Sequence, residues 1–174
     1  PKAHAVAYVT MAFRIAYFKV YYPLAFYASF FSIRAEDFEA ETILAGYEAI
    51  KNRINNIESE GYQASQKDKK LLPILELGLE MYARGFNFYP VDIANSSADK
   101  FVIKDNGLII PFSALPNVGV TAAKGIAEAI KEGEFVSIEE FQQRTHLNKT
   151  AMDVLRRHNC FEGLPESTQI SLFG

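Results

Sequence analysis

The chain has no tryptophan, a single cysteine at position 160 and only three histidines in 174 residues. One cysteine cannot close an internal disulfide, so a disulfide-stapled scaffold is excluded and a reducing, cytoplasmic setting fits. His4, His146, His158 and Cys160 do not have zinc-site spacing; only the last two are neighbours. No uncharged apolar run reaches the roughly 18–20 residues that span a bilayer, because Arg14, Lys19 and Pro23 interrupt the apolar start. A basic leader with a short apolar core and a small-residue cleavage site is also missing. Nor is there an excess of charge. With 18 Lys and Arg against 21 Asp and Glu the formal net charge is −3, which argues against a uniformly basic nucleic-acid binder. What remains is an ordinary globular composition, 49% hydrophobic and 22% charged, long enough for one typical domain or two small ones.

The small net charge conceals an uneven distribution. Residues 1–34 carry Lys2, Arg14, Lys19 and Arg34 and no acid at all. Residues 35–100 carry seven bases against twelve acids, and residues 101–174 seven against nine. An acid-free basic segment suits a phosphate-facing surface. It equally suits a buried helix whose few charges reach out at its ends. The chain opens without Met, directly on an apolar periodic stretch, so it is expected to come from the middle of a larger protein.

Periodicity predicts a mostly α-helical fold with a small β-hairpin. Ala5 to Tyr22 is helical, Pro23 interrupts it, and Leu24 to Ile33 resumes. Asp37 then opens a third helix running through Leu44, Tyr47, Ile50 and Ile54 to Ile57, stopped by Gly61. The polar stretch Gln63 to Lys70 reads as a loop, and Pro73 as the first turn of a helix over Ile74 to Tyr82. Phe101-Val102-Ile103, Asn106-Gly107 and Leu108-Ile109-Ile110 form the hairpin, since Asn-Gly between apolar runs is a strong turn signal. Helices follow over Thr121 to Lys131, over Ile138 to Arg144 behind a Ser137/Glu140 capping box, and over Thr150 to His158 behind Asn148. Asn159 reads as a left-handed stop, and Pro165 to Gly174 as a flexible tail. The expected division is 1–62, 63–100, 101–163 and 164–174.

Three segments could carry function. In Leu115-Pro116-Asn117-Val118-Gly119 an apolar turn precedes a helix rich in small residues. It resembles the helix-hairpin-helix motif, in which glycine lets backbone N–H groups approach a phosphate and the following helix directs its positive end at that anion. Gly119 matches the second glycine of that motif; Asn117 stands for the first and tolerates a positive φ. Asn117, Val118, Gly119, Thr121 and Lys124 are therefore candidate DNA-backbone contacts. Leu147 to Cys160 is a candidate second hairpin, with Lys149, Arg156 and Arg157 as phosphate contacts; both segments could also be hairpins that merely pack. At the other end, Gln169, Ile170, Ser171, Leu172 and Phe173 resemble the bacterial sliding-clamp binding motif, an apolar tail awaiting a pocket on a partner. On the first helix His4, Tyr8 and Lys19 share a face that suits either a nucleotide or the core.

Taken in order, Pro1-Lys2-Ala3-His4-Ala5-Val6-Ala7-Tyr8, Arg14 to Lys19, Tyr22-Pro23-Leu24 and Tyr27-Ala28-Ser29 resemble the PolC class of bacterial replicative DNA polymerase III α subunits. The hairpin region and the terminal motif continue the likeness, so it covers essentially the whole chain. The resemblance implies a helical end of the fingers domain over residues 1–62, then a tandem helix-hairpin-helix region and a clamp-binding tail. Lys2, His4, Tyr8 and Arg14 would lie near an incoming deoxynucleoside triphosphate. Duplex DNA, the sliding clamp and other replisome subunits would be the partners, with no membrane. The family's catalytic carboxylates and their Mg2+ belong to a palm domain outside this chain, so no catalytic or metal-binding residue is expected here and the segment alone should be inactive. Two other readings stay open at this point: a non-catalytic DNA- and clamp-binding adaptor, and a helical interaction module without nucleic acid.

Overall fold

A computed structural model describes residues 2–167. Eight α-helices and three short strands follow in the order α1 (Lys2–Tyr21), α2 (Pro23–Ile33), α3 (Ala40–Leu44), α4 (Tyr47–Glu60), α5 (Gln66–Ala83), β1 (Asn87–Tyr89), β2 (Val102–Lys104), β3 (Gly107–Ile109), α6 (Val120–Lys131), α7 (Ile138–Thr145) and α8 (Lys149–Arg157). One continuous core runs from Tyr27 on α2 to Phe161 beyond α8. Its densest part is aromatic: Phe31, Phe38, Phe88 and Phe101 meet with ring centroids 4.9–6.3 Å apart and join α2 to the strands. Among the described residues no helix is long and apolar enough to cross a membrane.

The helical class and the hairpin are as the sequence predicts, but three local boundaries differ. The single helix expected from Asp37 to Ile57 is broken: Asp37 ends a short 3-10 turn, and Gly46 at φ +96° separates α3 from α4. A left-handed residue cannot continue a right-handed helix, and glycine is the residue that enters that region cheaply. The expected loop over Gln63 to Lys70 is largely the first turn of α5. Ser65 caps it, its Oγ accepting from the Asp68 amide at 3.0 Å while donating to the Asp68 carboxylate at 2.6 Å. Pro73 therefore lies inside α5 rather than at its start.

The hairpin turn is the third difference. Val102 pairs with Ile109 and Lys104 with Gly107, so the turn is Asp105-Asn106, with Asp105 at φ +48°, and Gly107 lies within β3. A third strand explains the shift. β1 runs parallel to β3 on its other side, pairing Asn87 with Gly107. A Cβ on Gly107 would run into the Asn87 carbonyl oxygen and lie 2.8 Å from the Tyr89 ring. Gly107→Ala is thus expected to pry β1 from β3, costing about 1–3 kcal/mol and lowering the melting temperature in scanning calorimetry. An unchanged melt would show that the sheet has slack.

α1 stands apart from this economy of burial. It is apolar nearly all round, yet none of its residues is buried within the chain, and Phe13 is 73% exposed. Helices of that composition are ordinarily enclosed by other protein.

Candidate nucleic-acid interface

The segment 115–124 forms a tight turn feeding a helix. Leu115 and Val118 are buried and pin the turn to the core. Asn117 takes φ +62°, the left-handed conformation that asparagine tolerates. The Val118 amide donates to the Leu115 carbonyl at 3.2 Å and closes the loop. Gly119 follows as N-cap of α6 at φ −66°, ψ 162°. The first helical bond is donated by Ala123 to Gly119, 2.9 Å. Among the described residues the amides of Val120, Thr121 and Ala122 meet no acceptor, and no side chain caps them. These are the donors that a helix start offers to an anion.

Gly119 is not demanded by the fold. Its φ is ordinary for any residue, and a Cβ built there meets no atom within 4 Å. In the first turns of α6 Thr121 and Lys124 are both exposed, and Lys124 has no ion pair among the described residues. Asn117, Val118, Gly119 and Val120 also line a cavity of about 460 Å³ shared with Glu36, Asp37, Glu39, Glu41 and Lys67. Ser113, whose buried Oγ has no hydrogen-bond partner, lines it too.

The second hairpin repeats the backbone of the first. His146 is left-handed at φ +53°, Leu147 is buried, and Asn148 is the N-cap at φ −72°, ψ 163°. Its chemistry is different. Asn148 spends its own side chain on the helix start, accepting from the Ala151 amide at 2.9 Å. Arg156 is held in a fork by Glu166, 2.8 and 2.5 Å, and Arg157 lies 3.9 Å from Glu41. Only Lys149 of the expected phosphate contacts there is exposed and unpaired among the described residues. Arg156 is engaged by Glu166, whereas the Arg157 side chain is 63% exposed and meets Glu41 only at the edge of ion-pair distance.

Arg144 fixes α6 against α7. It donates to the carbonyls of Ala129, of Gly133 at 3.1 Å and of Glu134 at 3.2 Å, and its guanidinium stacks 4.3 Å over Phe135. A cation at the last carbonyls of a helix satisfies orphan acceptors and matches the helix dipole. The capping box of α7 forms with a shift of one residue. Ser137 accepts from the Glu140 amide at 3.1 Å, but Glu140 reaches back to the Val136 amide, 2.8 Å. The chain after α8 is pinned as well, because the Pro165 and Glu166 carbonyls accept from the amides of Ile138 and Glu139. The expected tail is thus bound to the fold through Glu166. Gln169 to Phe173 lie outside the described residues.

On α1, Lys2, His4, Tyr8 and Arg14 are exposed, and His4 meets Tyr8 edge to face with centroids 4.5 Å apart. Lys19, expected to share that face, is instead bonded to Glu80 on α5 at 2.6 Å. No sequence signal pointed to this partner. Among the described residues no three His, Cys, Asp or Glu side chains are grouped to hold a metal ion. Burial, reinforced by the charge of Asp92, pushes the Cys160 thiol up to about 12 and leaves it inert as a nucleophile.

These two turns, each a left-handed residue, a buried apolar residue and an extended N-cap, define a tandem helix-hairpin-helix. The profile of the helix-hairpin-helix motif family matches residues 85–170. Along its length the chain is similar to proteins named DNA polymerase III PolC-type. It is 54% identical to that of Caldanaerobacter subterraneus subsp. tengcongensis, 50% to that of Listeria monocytogenes and 49% to that of Bacillus subtilis, with 99% of the chain aligned in each case. The chain spans 12% of the length of these relatives. It is a homologue of one segment of the PolC-type DNA polymerase III family.

Proposed function

We propose that this chain is the duplex-gripping segment of a PolC-type replicative polymerase. The observation that carries this reading is the uncapped start of α6 beside Gly119, a position left open by the fold. Backbone amides and the helix dipole suit a DNA phosphate there, with Lys124 adding charge. Contacts of this kind hold the sugar–phosphate backbone and read no bases, as a polymerase that copies every sequence requires. Lys149 extends the track at the second hairpin, whose capped helix start makes it the weaker of the two.

In this reading the exposed face of α1 with Lys2, His4, Tyr8 and Arg14 meets the incoming deoxynucleoside triphosphate. Gln169, Ile170, Ser171, Leu172 and Phe173 tether the enzyme to the sliding clamp, and the carboxylates that hold catalytic Mg2+ lie elsewhere in the longer protein. The chain alone carries no turnover.

The test is a fluorescence-anisotropy titration with duplexes of unrelated sequence over a series of salt concentrations. Affinity should be equal among the sequences and fall steeply with salt, log K changing by about 0.9 per log unit for each phosphate neutralised. Absence of binding even at low salt would leave the hairpins as packing elements and overturn the reading.

A further inference from the structure

Pro23 has no amide hydrogen, so the carbonyl of Lys19, four residues earlier, loses the helical donor it would otherwise have. The helix breaks at Tyr22, which sits at φ −136°, ψ 56° between α1 and α2. The break is a joint at which the helical hydrogen bonds alone no longer fix the direction of α1. In this chain the joint is closed from outside. Arg84, at the end of α5, donates through both terminal nitrogens to the orphaned Lys19 carbonyl, each at 3.2 Å. One of those nitrogens also donates to the Tyr27 hydroxyl at 2.9 Å.

Glu80 completes the network one turn earlier on α5. Its carboxylate accepts from the Lys19 ammonium at 2.6 Å and from the Tyr27 hydroxyl at 2.7 Å, and lies 3.7 Å from Arg84. The backbone of Lys19 is thus held by Arg84 and its side chain by Glu80. Tyr27, fully buried on α2, is held by both. Partial burial raises the affinity of Glu80 for a proton, but the bonds from Lys19 and Tyr27 and the charges of Lys19 and Arg84 outweigh it and keep the carboxyl below its ordinary value. The tie is therefore intact at neutral pH. Elsewhere α1 has no buried residue within this chain to fix its direction.

We infer that Glu80 and Arg84 are positioning residues that lock the angle between α1 and α2, and so hold the nucleotide-facing residues of α1 in register with the DNA-gripping body. The inference rests on the reading of α1 under the proposed function. Neither residue touches the nucleotide. They act by removing the swing at Pro23 before the nucleotide arrives, so that binding does not have to order the joint.

The test belongs in a full-length PolC-type polymerase that contains this segment, using Arg84→Ala, Glu80→Gln and the conservative Arg84→Lys. The nucleotide KM is expected to rise about tenfold in Arg84→Ala and Glu80→Gln, the scale of one lost hydrogen bond to a charged group. Affinity for primer–template should stay within about twofold, and Arg84→Lys should recover part of the loss. Unchanged KM in these variants, while His4→Ala and Tyr8→Ala raise it, overturns the inference and leaves the nucleotide role of α1 standing. If His4→Ala and Tyr8→Ala also leave KM unchanged, that role falls and the inference with it. A parallel loss of duplex affinity and thermal stability, with no rescue by lysine, makes the network merely structural and also overturns it.

Discussion

Gly119→Val should fold like the parent chain and bind duplex DNA about ten- to a hundredfold more weakly at low salt. The magnitude follows from losing one charge-assisted hydrogen bond, worth about 1.5–3 kcal/mol when the acceptor is ionised. The fold has room for the side chain, since a Cβ at Gly119 meets no atom within 4 Å and its φ is −66°. Valine is a poorer N-cap than glycine, so a small fall in melting temperature accompanies the change. The side chain is expected to fill the approach to the amides of Val120, Thr121 and Ala122. Gly119→Ala should fall between parent and valine. The measurement is an anisotropy titration at fixed low salt followed by a salt series, in which the slope should drop by about one phosphate equivalent. Equal affinities for parent and valine chains would remove the first hairpin from the interface.

The second large effect is expected at the other end. Replacing Leu172 and Phe173 together by alanine in the full-length polymerase should abolish capture by the sliding clamp on a biosensor surface. It should also shorten the products made per binding event. A five-residue peptide binds weakly alone, yet tethered to a ring that encircles DNA it would keep the polymerase at high local concentration, and such linkage raises avidity by about 10²–10⁴-fold. Polymerisation on short templates without clamp should be unaffected. If clamp capture and product length both survive the double replacement, the tail is not the tether.

How much of this was legible in the sequence depends on where each residue finds its partner. The turn at Asn117 was readable because its cause is local: asparagine tolerates a left-handed φ, and a small-residue helix follows. The three N-terminal caps at Ser65, Ser137 and Asn148 are also local, although the one at Ser65 was hidden. The residues after it are polar because they face solvent, and a solvated first turn looks like a loop. The break at Gly46 was missed for the opposite reason, since the apolar spacing on either side continues through it.

Nothing near Gly107 in the chain announces that β1, twenty residues earlier in the pairing, forbids it a side chain. The same holds for Lys19, whose partner Glu80 is 61 residues away, and for Arg156, whose freedom is removed by Glu166. Basic residues were legible as charges. Which of them remained free for a phosphate was decided by tertiary pairing.

The bare surface of α1 also governs how the molecule can be handled. Every residue of the buried core lies at Tyr27 or beyond, while α1 presents Val6, Tyr8, Val9, Met11, Phe13 and Ile15 to solvent. In a dilute preparation of this chain alone, those side chains form an adhesive rod that other copies will cover, producing aggregates that scatter light and blur any binding assay. A fragment cut to begin at Tyr22 keeps the whole core and both hairpins and sheds the rod. It is the piece suited to crystallisation and to quantitative work with DNA, whereas the proposed nucleotide role of α1 must be tested in the longer protein.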